Sequence, residues 1–460
     1  MTQIDVITIG AGGGAYPAAF RLAKAGKKVI MIDIKGVMSG NCLAEGCVPS
    51  KALREVTGIY KQSRFPEKFG LSGALKFSYK QMVSHKDYVQ DIRYNQHQKE
   101  LEEFPDNIQL IKGKASLVDS HKVSVETESG NKIFLAQQII IASGADIVMP
   151  PIKGAELCIT SRDVYALHPN LSELPKSLTI IGGGYIGLET ASIFCELGVK
   201  VTVIEMMGRI LPTMEPRLSE ELQRMLNPNI KIILNAKVEE VNKAASGFDL
   251  SFVHSNQKKT INSELVMMAI GRHPVIPEGI TEIGIKTEKG RILVNNALQT
   301  NFSHIYAPGD VNGRSMLFHS AVRQSLVVAN NILAGNVPID YMNFEAVPAT
   351  VFTFPEMAFV GVLPSAAKER GISLIETAYS FKGDSRAQIY DEREGEIREF
   401  FDKDTMKLIG AWVIGIDAAN LIGELGLAVQ QGLTVFDLAR YADQHPMASE
   451  GISKAARKLM

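Results

Sequence analysis

The chain has 460 residues, 45% hydrophobic and 22% charged, with a formal net charge of −1. That length predicts about three domains of ordinary size, and the balanced charge excludes a basic field for nucleic acid or a polybasic membrane patch. No apolar run approaches the roughly 20 residues that span a bilayer. Met1 leads almost directly into a strand pattern without a charged leader, and four cysteines do not make a disulfide scaffold, so a cytoplasmic setting is expected.

The first predicted strand, Asp5–Ile9, runs into Gly10-Ala11-Gly12-Gly13-Gly14-Ala15. A helical run to Ala25 and Gly26 follows, then a second strand ending at Asp33. In such a unit the first glycine makes the turn and the second lets backbone approach a pyrophosphate. The third position, here Ala15, keeps helix and strand close. The helix N-terminus offers free N–H groups and a positive dipole end to phosphate, and the terminal carboxylate accepts from ribose hydroxyls.

Nine positions after Asp33 comes Cys42, within Cys42-Leu43-Ala44-Glu45-Gly46-Cys47-Val48-Pro49-Ser50-Lys51. No nearby His or Cys completes a metal site around the pair, and none is expected. In a cytoplasmic protein, close cysteines point to redox or metal chemistry; on spacing alone, two buried thiols remain an alternative. Five residues of regular helix rise about 7.5 Å, too far for a disulfide. Bridging therefore needs a distortion, which Gly46 permits. Pro49 suits the start of a helix beyond it. A helix N-terminus beside Cys47, with Lys51, favours a thiolate.

Lys80–Phe104 reads as a long polar-faced helix, and Ile108–Ile141 as short strands closing in Ala142-Ser143-Gly144. The opening grammar then returns. Leu178–Ile181 leads into Gly182-Gly183-Gly184-Tyr185-Ile186-Gly187, a helix through Leu197, and a strand ending at Glu205. Gly10 to Asp33 and Gly182 to Glu205 both span 23 positions. Two matching copies imply two dinucleotides. Glu205, followed by neutral Met206 and Met207, disfavours a 2′-phosphate and so favours NAD over NADP, although Arg209 is near. Ala269-Ile270-Gly271-Arg272 closes this second unit. Pro348–Met460 alternates strands and helices without a phosphate loop and reads as a separate α+β module. Among nine histidines, His445 stands out: it precedes Pro446, and Glu450 follows closely enough to orient its ring.

These residues together resemble the pyridine nucleotide–disulfide oxidoreductases, most closely the dihydrolipoamide dehydrogenases, along nearly the whole chain. The likeness includes both nucleotide turns, the Cys42–Cys47 segment, Ala142-Ser143-Gly144 and Ala269-Ile270-Gly271-Arg272. It extends to Ile305-Tyr306-Ala307-Pro308-Gly309-Asp310, Phe354–Gly361 and His445-Pro446-Met447-Ala448-Ser449-Glu450. It implies an α/β fold with two Rossmann-like dinucleotide-binding domains and a C-terminal α+β dimerisation domain. The implied boundaries are 1–147 for the first part of the FAD domain, 148–271 for the NAD domain, 272–345 for the second FAD or central part, and 346–460 for dimerisation.

Carried over by position, the resemblance assigns Gly10, Gly12, Gly14, Ala15, Asp33, Lys51, Ala142, Ser143, Gly144 and Asp310 to FAD. Gly182, Gly184, Tyr185, Gly187, Glu205, Gly271 and Arg272 fall to NAD. Cys47 becomes the thiol beside the flavin and Cys42 the interchange thiol facing substrate. Lys51 and Glu189 form an ion pair near the flavin. His445 and Glu450 reach the partner subunit's disulfide in a homodimer.

The implied reaction moves electrons between NAD and a dithiol or disulfide, lipoamide first, as a small molecule or a lipoyl protein in a 2-oxo acid dehydrogenase complex. Ala44-Glu45, Ser320 and Asp443 depart from the lipoamide dehydrogenase pattern, where Asn-Val or Asn-Thr, Lys and His are usual. Glu45 is expected to raise the thiol pKa values or alter substrate approach. The alternatives are an NAD(P)H-dependent reductase of another small disulfide or a metal ion, as in mercuric reductase, and a flavin-loaded scaffold or redox sensor. A C-terminal cysteine pair, as mercuric reductases carry, is absent, and the three positions after Glu205 carry none of the basic residues that NADPH favours.

Overall fold

The computed structural model describes residues 3–73 and 75–460; Met1, on which the expected leaderless start rests, lies outside them. The chain divides into two compact units, residues 1–148, 160–173 and 271–344, and residues 149–159, 174–270 and 345–460.

In the first unit, β1 (Gln3–Ile9), α1 (Tyr16–Lys24) and β2 (Val29–Asp33) form the first strand–helix–strand unit. Then come α2 (Gly40–Glu45), α3 (Cys47–Gln62), α4 (Tyr79–Glu102) and β3 (Ile108–Lys112). The strands β4 (Lys114–Leu117), β5 (Lys122–Thr127) and β6 (Gly130–Ile141) complete a sheet of order β3-β2-β1-β6-β5-β4, with Ile305–Tyr306 added beside β6. β1, β2, β3 and β6 pair in parallel, while β4, β5 and β6 form an antiparallel meander. Ile7, Ile30, Ile139 and Ile305 lie in one apolar cluster; each such side chain, fully buried, contributes roughly 2 kcal/mol. α1 turns Ala18, Ala19, Leu22 and Ala23 inward and carries Pro17 in its first turn, where no donor is lost. β7 (Ala145–Ile147) pairs antiparallel with Arg272–Pro274, and α5 (Ser161–Tyr165) follows a Thr160–Asp163 capping box.

The second unit repeats the plan. Its four-stranded parallel sheet has Ser177–Ile181 flanked by Lys200–Ile204 and Leu265–Met268, with Lys231–Ile233 at the edge. The helix Tyr185–Glu196 joins the first two strands, and a three-stranded antiparallel ribbon spans 236–263. Both this helix and α1 are followed, after one capping residue, by a left-handed glycine, Gly198 and Gly26. The C-terminal portion is a five-stranded antiparallel sheet whose apolar face is covered by helices Ala418–Gln431, Val435–Arg440 and Glu450–Arg457. Two Rossmann-like domains and a C-terminal α+β domain are thus present.

Candidate functional site

The turn between β1 and α1 leaves open space over Gly12, where a side chain would meet nothing closer than the Gly40 Cα at 3.7 Å. Ala15 is fully buried under the helix start, and Gly14 sits so tightly against Pro308 O that a Cβ would approach it to 2.8 Å. The Asp33 carboxylate accepts from the backbone N–H groups of Ala11 at 3.2 Å, Lys35 at 2.8 Å and Gly36 at 3.2 Å. Ala142 continues the β1 ladder by donating to Ile9 O at 2.8 Å. The Ser143 hydroxyl donates to Val275 O at 2.6 Å, and Gly144 O accepts from Val275 N–H at 2.9 Å. Asp310 opens a short 3-10 turn after Gly309. Burial pushes its carboxyl above the usual carboxylate range, against the pull of Arg272.

Between Cys42 and Cys47 the helix breaks. α2 stops at Glu45, Gly46 adopts φ −131° and ψ −112°, and α3 restarts at Cys47, two residues before Pro49. A Cβ at Gly46 would stand 2.8 Å from Asn41 O, so only glycine closes this joint. The break turns the first N–H groups of α3, those of Cys47 and Val48, onto the Cys42 sulfur, with the Cys47 sulfur beside it. The hydrogen bond with Cys47 and burial push the Cys42 thiol up; the two N–H groups oppose this. Lys51 lies one turn into α3, its Nζ 3.3 Å from Ser50 Oγ.

Glu45 is not an open carboxylate. It is 3% exposed and accepts from Arg162 through Nε at 2.8 Å and Nη2 at 3.1 Å, from Arg272 Nη2 at 3.0 Å and from Lys35 Nζ at 3.4 Å. Burial works to raise its pKa, but Arg162, Lys35 and Arg272 hold it down at about 2. Arg162 Nη2 also donates to Asp146 Oδ1 at 3.0 Å. The expected effect of a lone carboxylate on the thiols is therefore met by three cations. A second set of bonds holds the same helix. Gln90 of α4 donates to Leu43 O at 2.8 Å and Ala44 O at 3.1 Å, two carbonyls in the last turn of α2. The fully buried Lys86 donates to Gln90 Oε1 at 2.7 Å, Ala166 O at 2.6 Å and Asp87. Arg162, Lys86 and Gln90 escaped the sequence reading.

In the second unit, a Cβ on Gly184 would meet nothing within 4 Å, whereas one on Gly187 would fall 2.1 Å from Gly182 O. The buried Glu205 carboxylate accepts from Gly183 N–H at 2.7 Å and Met207 N–H at 2.8 Å. Met206 and Met207 are exposed, and Arg209 donates to Pro212 O at 2.7 Å. Tyr185 begins the helix, and burial, aided by Glu189, pushes its phenol up to about 12. Glu189 is buried and accepts from Phe352 N–H at 3.0 Å. Gly271 and Arg272, read from sequence with this nucleotide, belong to the first unit.

His445 is 69% exposed and its Nδ1 lies 2.6 Å from Glu450 Oε1. Glu450 is buried at the start of its helix and also accepts from Lys454 at 2.8 Å. Lys454 first, then His445, hold its carboxyl below the usual range, against burial. Asp443 accepts from the Ser453 hydroxyl and from Arg457 at 3.4 Å. Ser320 is buried and accepts from Gln324 at 3.0 Å. Among the described residues no cluster of three or more His, Cys, Asp or Glu could hold a metal.

Residues 4–325 match the family described as pyridine nucleotide-disulphide oxidoreductase, and residues 347–456 its dimerisation domain. The chain is 32% identical over 459 residues to dihydrolipoyl dehydrogenase of Geobacillus stearothermophilus, covering 99% of this chain and 96% of the relative. It is 34% identical over 462 residues to leghemoglobin reductase of Glycine max, covering 98% and 87%. Among solved structures, LpdA from Mycobacterium tuberculosis matches with a TM-score of 0.90 at 26% identity, and the Cu(II) complex of the HOCl-induced flavoprotein disulfide reductase RclA from Escherichia coli with 0.87 at 26%. Both comparisons cover 100% of each chain.

Proposed function

This chain belongs to the pyridine nucleotide-disulphide oxidoreductases, and we propose that it exchanges electrons between NAD and a dithiol of the dihydrolipoamide type through Cys42 and Cys47. It is an FAD-dependent disulfide oxidoreductase of a family that uses FAD and NAD(P). The open space over Gly12, the Asp33 carboxylate and the Asp310 carboxyl fit FAD; the open space over Gly184 with Glu205 beneath fits NAD. The chemistry that FAD held there would supply is a two-electron relay between the thiol pair and the nicotinamide.

One observation carries the reading: the broken helix that aims the α3 N–H groups at the Cys42 sulfur, with Cys47 beside it. In the thiol half-reaction, one substrate thiolate attacks Cys42 of the disulfide and expels Cys47 as thiolate. The second substrate thiolate then attacks its partner sulfur in the mixed disulfide and releases Cys42. Substrate leaves as a disulfide, and both electrons remain on the cysteine pair. His445 of the partner subunit accepts the substrate proton, and Glu450 orients the imidazole and stabilises its cation. The dimerisation domain at 347–456 supports the homodimer this requires. The resemblance assigns Lys51 and Glu189 to the surroundings of the flavin, and Tyr185 to covering the flavin until nicotinamide enters.

Dihydrolipoamide, free or on a lipoyl protein of a 2-oxo acid dehydrogenase complex, is supported by full-length relatives named dihydrolipoyl dehydrogenase. Similarity to the Cu(II)-bound RclA favours a metal ion as the second candidate substrate. The bacterial relatives support a cytoplasmic setting; among the described residues no helix is long and apolar enough to cross a membrane. The test is twofold. Steady-state rates with dihydrolipoamide, glutathione disulfide, cystine, CoA disulfide, Hg(II) and Cu(II), each with NAD(H) and NADP(H), rank the substrates. Anaerobic NADH produces the long-wavelength thiolate-to-flavin absorbance in wild type, and Cys47→Ser abolishes it; persistence of that band in the variant refutes the assignment.

A further inference from the structure

Cys42 shares its helix, α2, with a carboxylate held by cations from three other parts of the first unit. Glu45 stands three residues after Cys42 within α2, so the two side chains lie on one face about 5–6 Å apart at Cβ. Arg162 arrives from α5, Arg272 from the strand opposite β7, Lys35 from the loop after β2, and Asp146 from β7 itself. Three cations thus face two carboxylates. The remaining titratable neighbours are Tyr94 of α4, which feels both Glu45 and Asp33, Tyr16 of α1 near Cys42, Lys51 on α3, and Asp310 near Arg272.

Resting on the electron-transfer reading above, we propose that Glu45 and Arg162 form a charge clamp that positions the redox helix and sets the two-electron potential of the Cys42/Cys47 pair. Both are positioning residues; neither touches the reacting atoms. The clamp is built rather than incidental. Arg162 grips Glu45 side-on through two nitrogens, a geometry that fixes direction as well as charge. Gln90 and Lys86 hold the adjoining carbonyls of α2 and the Ala166 carbonyl four residues beyond Arg162. The segment 160–173 therefore returns to the first unit and fastens the helix that carries the interchange thiol.

The sign follows from the charges. With an effective dielectric of about 20, a unit charge about 10 Å away shifts a thiol–thiolate equilibrium by roughly fifteenfold before neighbours screen it. Neutralising Glu45 leaves three cations against one carboxylate, favours the thiolate, stabilises the reduced pair and makes the disulfide a stronger oxidant. Neutralising Arg162 acts in the opposite direction.

The test equilibrates the FAD-loaded dimer of wild type, Glu45→Gln, Arg162→Gln and the double variant against graded dithiothreitol couples at fixed pH. The reduced pair is read by thiol alkylation and by long-wavelength absorbance. Glu45→Gln is expected to shift the equilibrium at least fivefold toward the dithiol, about 20 mV for a two-electron couple, and Arg162→Gln at least fivefold the other way. The double variant returns within twofold of wild type. Shifts of equal sign, or none, overturn the proposal, since mere loosening of the loop predicts one direction for both singles and a worse double. If Glu45→Gln does not fold, Arg162→Lys against Arg162→Gln decides: Lys, which keeps the charge, stays closer to the wild-type equilibrium than Gln, and equality of the two overturns the clamp. A wild type with no dithiothreitol-titratable pair at all refutes the electron-transfer reading itself, and the clamp falls with it.

Discussion

Two alanine substitutions a single turn apart separate nucleotide binding from folding. Gly184 has φ −84° and ψ −171°, a conformation any residue adopts, and an added Cβ there meets nothing within 4 Å. Gly184→Ala should leave the unfolding temperature and FAD content of the dimer unchanged. Yet the methyl occupies the space over the N-terminus of helix Tyr185–Glu196, where a pyrophosphate receives its N–H donors. Losing charge-assisted hydrogen bonds costs about 1.5–3 kcal/mol, a 10- to 150-fold rise in the NADH dissociation constant at about 1.4 kcal/mol per tenfold. Gly187→Ala behaves differently. Its Cβ would lie 2.1 Å from Gly182 O and 3.3 Å from Ile180 Cγ2, so helix and strand must separate. Overpacking of that kind costs about 1–3 kcal/mol, and unfolding temperature and NADH affinity fall together. The assay is the NADH concentration dependence of flavin reduction in stopped flow, beside thermal unfolding of the same preparations. Wild-type NADH saturation in Gly184→Ala would refute the placement of the pyrophosphate on this turn.

Three further outcomes follow from the same geometry. Glu205→Ser removes the acceptor for Gly183 and Met207 N–H and should raise the NADP-to-NAD ratio of kcat/KM at least tenfold; an unchanged ratio would locate selectivity elsewhere. Glu450→Gln keeps the shape beside His445 but removes the charge that stabilises its cation, so thiol oxidation slows by about 10²- to 10⁴-fold while flavin reduction by NADH is unaffected. Glu399, opposite Thr377 and Ala411, is fully buried, and neither carboxylate oxygen has a hydrogen-bond partner among the described residues. Burial raises its pKa well above the usual value, so between the unfolded pKa near 4.3 and the folded one, rising pH costs stability on the order of 1 kcal/mol per unit. Glu399→Leu should raise the unfolding temperature by several degrees at pH 7.5, with the gain shrinking toward pH 5; a pH-independent gain would count against a buried ionisable carboxyl.

Both nucleotide turns were legible because their signal is local. Glycine spacing, a short apolar strand and a terminal acid all fall within 23 positions of Gly10 or Gly182. The break between Cys42 and Cys47 was legible for a similar reason, since a regular helix holds such a pair apart. Its execution was not: α3 restarts at Cys47, because the Gly46 joint spends one residue and leaves no room for a loop up to Pro49. The surroundings of Glu45 were hidden altogether. Arg162 and Arg272 lie 117 and 227 positions away, and an ion pair across such separations leaves no periodic trace. Lys86 and Gln90 sit in a helix that reads as polar-faced, so their polar character concealed that both are buried on one side of it.

The short ladder between β7 and Arg272–Pro274 forms a doorway for the chain from 149 to 270, which also returns to the first unit at 160–173. Val148 N–H donates to Gly271 O at 3.0 Å, so the exit and the re-entry of the first unit are adjacent. Such a doorway is what a transplantable cassette requires, and exchanging the chain from 149 to 270 for a relative's nucleotide module would leave the first sheet closed. The segment 160–173 alters that bargain, because it travels with the cassette while Glu45 stays behind. A chimera that imports a module lacking an arginine at position 162 would leave a carboxylate beside the thiols with one anchor gone. A graft meant to change nucleotide binding should therefore carry Arg162 if the proposed clamp on the thiol pair is to be kept.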